Sequence, residues 1–160
     1  YKNAIGLIQA IEAAEDPDLT LAVVGACFDP SLKRRIEAAA SRSDQILLDI
    51  RPGILEEDTL NSLVDEHDAV VLPYTKILNS GVALHALGRN KPILAPAVGS
   101  LPELQQSLGQ EWVTLFAPPI TGEVIQAFCQ QVRRGGPASA DLSAYDWEAI
   151  GLDVAKFITS

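Results

Sequence analysis

Residues 69–95 read Ala69-Val70-Val71-Leu72-Pro73-Tyr74-Thr75-Lys76-Ile77-Leu78-Asn79-Ser80-Gly81-Val82-Ala83-Leu84-His85-Ala86-Leu87-Gly88-Arg89-Asn90-Lys91-Pro92-Ile93-Leu94-Ala95. The apolar run 69–72 has the length of a strand and stops at Pro73, which has no amide to continue a ladder. Asn79 and Ser80 are residue types that cap helices, and small and apolar side chains fill 80–88. A second apolar run, 92–95, follows. Strand, capped helix and strand in succession predict a βαβ unit, and neither strand alternates apolar with polar. That profile belongs to parallel strands covered by helices on both faces.

The rest of the chain repeats the pattern. Strands are expected over 19–24, 45–49 and 112–116, and helices over 4–14, 30–41, 56–66, 102–108 and 121–134. In the first helix Ile5, Leu7, Ile8 and Ile11 fall on one stripe, a core face, with Glu12 and Glu15 near its end. The fold class that follows is α/β, a three-layer, Rossmann-like, doubly wound parallel sheet. Residues 1–134 form the domain on this reading, and 135–144, opening Gly135-Gly136-Pro137-Ala138-Ser139, form a linker. Residues 145–160 then resume a helical pattern with Trp147, Ile150, Val154 and Phe157, the aromatics of a last, crossing helix.

The 160 residues carry a net charge of −9. An acidic chain has no broad positive field for a polyanion, which counts against nucleic acid as a partner and requires any anionic ligand to have a local site. Cys27 and Cys129 have no companions at metal or redox spacing, so they read as buried free thiols in a reducing compartment. No apolar run is long enough for a transmembrane segment, and no signal peptide opens the chain. A cytoplasmic place is expected. The start at Tyr1-Lys2-Asn3, with no Met anywhere, predicts a piece of a longer chain.

Ligands of open parallel sheets collect beyond the carboxyl ends of the strands. Gly25 follows the first strand and permits close backbone approach, although a plain strand-to-helix turn explains it equally and the three-glycine dinucleotide fingerprint is absent. After the second strand, Ile50-Arg51-Pro52-Gly53-Ile54-Leu55 has apolar members able to cover a nucleobase. Arg51 has a structural alternative, pairing with Glu56, Glu57 or Asp58. At Asn79-Ser80-Gly81 the free amides of a helix start, aided by the helix dipole, form a phosphate site without net positive charge, whereas capping alone also accounts for Asn79 and Ser80. Ser100 and Glu103 have capping-box spacing.

These residues, taken with Tyr1-Lys2-Asn3, Val23-Val24-Gly25, Asp65 through Tyr74, Asn90 through Ala95 and Gly99 through Glu103, resemble the retaining glycosyltransferases of family four. That family has the GT-B architecture of two Rossmann-like domains. The resemblance implies a C-terminal donor domain that binds a nucleoside-diphosphate sugar, UDP- or GDP-linked, facing an N-terminal domain that holds the acceptor. It implies that Lys2 contacts the diphosphate, that Ser80 and Gly81 hold the distal phosphate and sugar, and that 49–55 form the base loop. The family's paired glutamates fall on Ile77 and His85, neither an acid, and His85 is left to bind ribose hydroxyls through a ring nitrogen or to serve as an ordinary helix residue.

Cleaving the bond between an anomeric carbon and a diphosphate develops negative charge on the leaving group, which must be met where it appears. Lys2 and the helix start at Ser80-Gly81 are the groups expected to meet it, with no cofactor and no divalent metal, as in enzymes the chain resembles. The piece alone is expected to transfer little or nothing. The competing reading is a non-catalytic, Rossmann-like nucleotide-binding or interaction module. Location at the inner membrane face through the other domain, and a place in polysaccharide biosynthesis, follow from the resemblance only.

Overall fold

A computed structural model describes residues 2–53, 55–76, 81–136 and 138–145. Elements alternate in the expected order: α1 (Ala4–Ala13), β1 (Leu21–Ala26), α2 (Pro30–Ala40), β2 (Ile46–Arg51), α3 (Glu57–Asp65), β3 (Val70–Val71), α4 (Gly81–Gly88), β4 (Ile93–Pro96), α5 (Leu101–Leu108), β5 (Val113–Phe116) and α6 (Gly122–Arg133). A 3-10 turn at Ser143–Tyr145 ends the described chain.

Every strand pairing is parallel, in two sheets: β1 with β2, and β3-β4-β5. Layering follows from which side of a strand each residue takes. Ile93 and Ala95 of β4 pack with Ala83, Ala86 and Leu87 of α4 and Leu101 and Leu104 of α5. Leu94, between them, packs on the opposite face with Leu7 and Ile11 of α1 and Ile125 and Phe128 of α6. All three β4 residues are fully buried, and three layers result, with helices on both faces.

The core stripe of α1 is divided between the two sheets. Leu7 and Ile11 belong to the cluster over β3-β4-β5, whereas Ile8 packs with Ile36, Ala39, Ala40 and Ile46 beside Val23 and Leu48. One helix therefore straddles the seam. Gly122 at the start of α6 is held close to the end of α1, where a Cβ would lie 2.6 Å from the carbonyl of Ala13.

Local signals explain the helix ends unevenly. Asp29 caps α2 through its carboxylate, which accepts from Ser31 N at 2.8 Å and Leu32 N at 3.1 Å, with Pro30 as the first helical residue. Thr121 caps α6 by accepting from Val124 N. The capping box expected at Ser100 and Glu103 does not form. Ser100 has helical rather than extended backbone (φ −82°, ψ −2°), its side chain accepts no capping bond, and Pro102 has no amide to donate one.

The thiols of Cys27 and Cys129 are free but half-buried, not buried. Cys27 lies past the end of β1, donating to Asp29 O at 3.5 Å, and Cys129 lies on a flank of α6. Burial of Cys129 is still enough to raise its pKa. Within the expected linker, Ala140 N donates to Asn90 Oδ1 at 3.0 Å, Leu142 lies against Gly88, and Leu142 and Tyr145 pack on the α4–α5 core. Ile54, Ile77, Asn79, Ser80 and the last helical pattern, with Trp147 through Phe157, lie outside the described residues. Among the described residues no helix is long and apolar enough to cross a membrane.

Candidate functional site

Parallel strands give each sheet a carboxyl edge, and connectivity places Gly25, Ile50, Arg51 and Lys2 at that of β1 and β2 and Gly81 after β3. Gly25 and Ile50 are register partners near the ends of β1 and β2, as are Ala26 and Arg51. Gly25 has φ +146°, a value that disfavours any side chain, yet a Cβ would meet nothing within 4 Å. The position needs its backbone angle, and it leaves open space beside the strand end.

Chain direction puts Lys2 at the same edge. The end of α1 connects through 14–20 to the start of β1, so α1 runs against β1 and its amino end stands toward the strands' carboxyl ends. Packing agrees, since Ala4 and Ile5 reach the cluster that includes Ile50. Lys2 is exposed there, followed by Asn3 in the left-handed region at φ 49°. The Asn3 side chain folds over Gly6, where a Cβ would come within 2.5 Å of its amide nitrogen.

The third contributor is the amino end of α4. Gly81 is its first residue, exposed, with nothing within 4 Å of a Cβ position. Unbonded amides of a first helical turn carry partial positive charge. One turn further along, His85 is half-buried, and its Nε2 is fully covered with no hydrogen-bond partner among the described residues. For that nitrogen to reach a ribose hydroxyl, its cover must move.

Arg51 departs from the expected pairing. Its partner is Asp49, with Nε 2.9 Å and 2.8 Å from the two carboxylate oxygens, rather than Glu56, Glu57 or Asp58. Residues two apart in a strand share a face, whereas the acids of α3 lie beyond the turn at Gly53. The guanidinium holds Asp49 below the ordinary carboxylate range and is itself raised. Asp65, at the end of α3, is lowered chiefly by its fork with Arg89, with Lys91 and His85 adding positive potential. Lys91 Nζ also donates to Asp65 O at 2.9 Å, so α3 is tied to the residues that follow α4.

Two features at or beside this edge escaped the sequence reading. Phe28, between Gly25 and the Asp29 cap, is 80% exposed, the most exposed large apolar side chain described. The signal available was an aromatic in a turn bounded by a glycine and a helix cap. A groove of about 410 Å³ also runs along α1 past Asn3, Gly6 and Gln9, walled by Pro119, Ile120 and Thr121 before α6. Among the described residues no three His, Cys, Asp or Glu side chains gather as metal ligands.

No protein-family model matches the chain. It is 33% identical over 153 residues to a GDP-mannose:glycolipid 4-beta-D-mannosyltransferase of Xanthomonas campestris pv. campestris (strain ATCC 33913), the match covering 94% of this chain and 43% of that protein. A second protein of that name from Xanthomonas campestris pv. campestris matches with the same identity and coverage. The chain thus spans less than half the length of these relatives. Among solved structures, sucrose-phosphate synthase from Thermosynechococcus elongatus superposes with a TM-score of 0.69 at 22% identity, over 99% of this chain and 42% of that one. Over nearly all of its length the chain is thus similar in sequence to part of these transferases, and it shares the parallel, doubly wound GT-B fold of that structure.

Proposed function

We propose that this chain is the donor-binding half of a glycosyltransferase, holding a nucleoside-diphosphate sugar at the carboxyl edge while an N-terminal domain holds the acceptor. The observation that carries the reading is the orientation of α1 and α4. α1 turns its amino end, with Lys2, toward the edge where β1 and β2 end, and α4 opens at Gly81 after β3, beyond a strand end of the second sheet. In a chain of net charge −9, that supplies local positive potential for a diphosphate and nowhere a general one.

Lys2 and the helix start at Gly81 counter charge on the leaving diphosphate, Ile50 and Arg51 at the end of β2 and the loop beyond them cover the base, and Gly25 lets the ligand approach β1. His85 serves the ribose. The relatives' name makes a GDP-sugar the first donor to try, ahead of a UDP-sugar. Retention is what the family resemblance implied, but the relatives' name specifies a β-D-linked product. From an α-linked donor such a product is inversion, so NMR of the anomeric proton in the product decides the stereochemistry.

Calorimetry on the full-length protein with GDP, UDP and the free nucleosides tests the reading. Lys2→Ala is expected to weaken the diphosphate about tenfold or more, the loss of one charge-assisted contact, while leaving the nucleoside unchanged. Equal losses for both remove Lys2 from the diphosphate. No binding of any nucleoside diphosphate favours the non-catalytic module instead.

A further inference from the structure

Phe28 is the large apolar side chain that packing leaves unused. It is 80% exposed, and among the described residues it joins none of the three core clusters. Exposure alone assigns no role, since single apolar side chains are common on surfaces. What sets Phe28 apart is an anchored backbone beside the ligand edge.

The turn beneath the ring is held just past it. Cys27 Sγ donates to Asp29 O at 3.5 Å, and the Asp29 carboxylate accepts from Ser31 N at 2.8 Å and Leu32 N at 3.1 Å. Pro30, the first helical residue, fixes its own φ. The ring therefore projects from a turn that is tied down, while the side chain itself packs on no core. Such a platform has only two side-chain dihedrals to fix when a flat partner settles on it, so little entropy is lost.

Position selects that partner. Ala26 ends β1 as the register partner of Arg51, and Phe28 lies two residues on, so its Cα is within roughly 12 Å of the Arg51 Cα. A base flanked by a side chain on each side fits a gap of that size. Neither residue at the end of β2 offers a flat apolar surface, because Ile50 packs with the α1–α2 cluster and Arg51 is forked onto Asp49. Gly25 leaves open space beside the strand end, where a Cβ would meet nothing within 4 Å. With the diphosphate assigned to Lys2 and the start of α4, the uncharged end of the ligand is left for the ring.

We propose, resting on the donor-binding reading above, that the Phe28 ring is a stacking wall for the donor's nucleobase, facing the end of β2. It favours a purine, whose two fused rings cover more of the phenyl face than a pyrimidine does.

NMR and calorimetry on the full-length protein separate the stacking wall from the donor site beneath it. With GDP bound, the Phe28 ring protons are expected to shift upfield and to show intermolecular NOEs to guanine H8. Phe28→Ala is expected to weaken guanosine and GDP by the same factor, about 10- to 100-fold, and uridine and UDP by less. Phe28→Tyr, which keeps the ring, is expected to retain most of the affinity. Inorganic pyrophosphate, which has no base, is expected to bind Phe28→Ala as it binds the wild type. Guanosine affinity unchanged in Phe28→Ala, or ring NOEs to another protein segment and none to the base, overturn the wall while leaving the donor site in place. A loss that extends equally to pyrophosphate overturns it too, and equal losses for guanosine and uridine overturn the purine preference. Wild-type protein that binds no nucleoside diphosphate overturns both the wall and the donor site.

Discussion

At the residue scale, His85 and Gly25 separate ligand binding from folding. The covered, unpartnered Nε2 of His85 is a cost to the fold, because a buried polar atom without a partner keeps its full desolvation penalty. His85→Leu, similar in volume, is expected to leave stability unchanged or raise it by about 1 kcal/mol in urea unfolding. If Nε2 serves the ribose, the same variant weakens nucleoside binding; unchanged nucleoside affinity makes it a helix residue only. Gly25 gives the opposite pairing of effects. Its φ of +146° penalises any side chain although the space is empty, so Gly25→Ala is expected to cost about 1–2 kcal/mol by the same measurement.

At the element scale, nearly all of the fold was legible in the sequence. Periodicity and helix-start signals place eleven strands and helices in order, and the boundaries differ by about two residues or fewer, the normal uncertainty of helix and strand ends. What failed was local chemistry that depends on backbone angles. Ser100 and Glu103 have the right spacing for a capping box, but spacing does not reveal that Ser100 is helical. Arg51 has three acids just downstream, but only the strand register shows that Asp49 shares its face. For the candidate site, sequence order predicts the chain direction that puts Lys2 beyond the ends of β1 and β2 and Gly81 after β3, while the covering of His85 arises from packing.

Two element-scale predictions follow from caps and close packing. Asp29→Ala removes the acceptor for two amides of α2 and is expected to cost about 1 kcal/mol, read as a lower urea midpoint with unchanged slope. Gly122→Ala is more damaging. The new Cβ meets the Ala13 backbone at 2.6 Å, which no rotamer change relieves, so separating α6 from α1 is expected to cost about 1–3 kcal/mol.

At the scale of the whole molecule, two electrostatic effects oppose each other as pH falls. Acidification from neutrality toward the pI near 4.6 neutralises the net charge and eases self-repulsion. Asp16, Asp49 and Asp65 are held below the ordinary carboxylate range by Arg133, Arg51 and Arg89. A depressed folded pKa contributes stability above the unfolded value, about 3.9 for Asp, and loses it as pH falls through the folded one. The melting temperature is therefore expected to hold or rise slightly toward pH 5 and to fall below about pH 4. Asp65→Asn, which gives up the fork to Arg89, is expected to start lower at neutral pH and to show a shallower acid drop.

Among the described residues no strand pairs with β1 on the side away from β2 or with β3 on the side away from β4, and such edges bear on how the chain behaves in a tube. Unpaired strand edges template association with any extended chain they meet, and partly folded molecules expose them longest. Refolding yield of the isolated domain is accordingly a matter of concentration, with turbidity growing as protein is added and dilution restoring recovery. A charged residue at Ala22 or Val24 would act as a gatekeeper against that clumping.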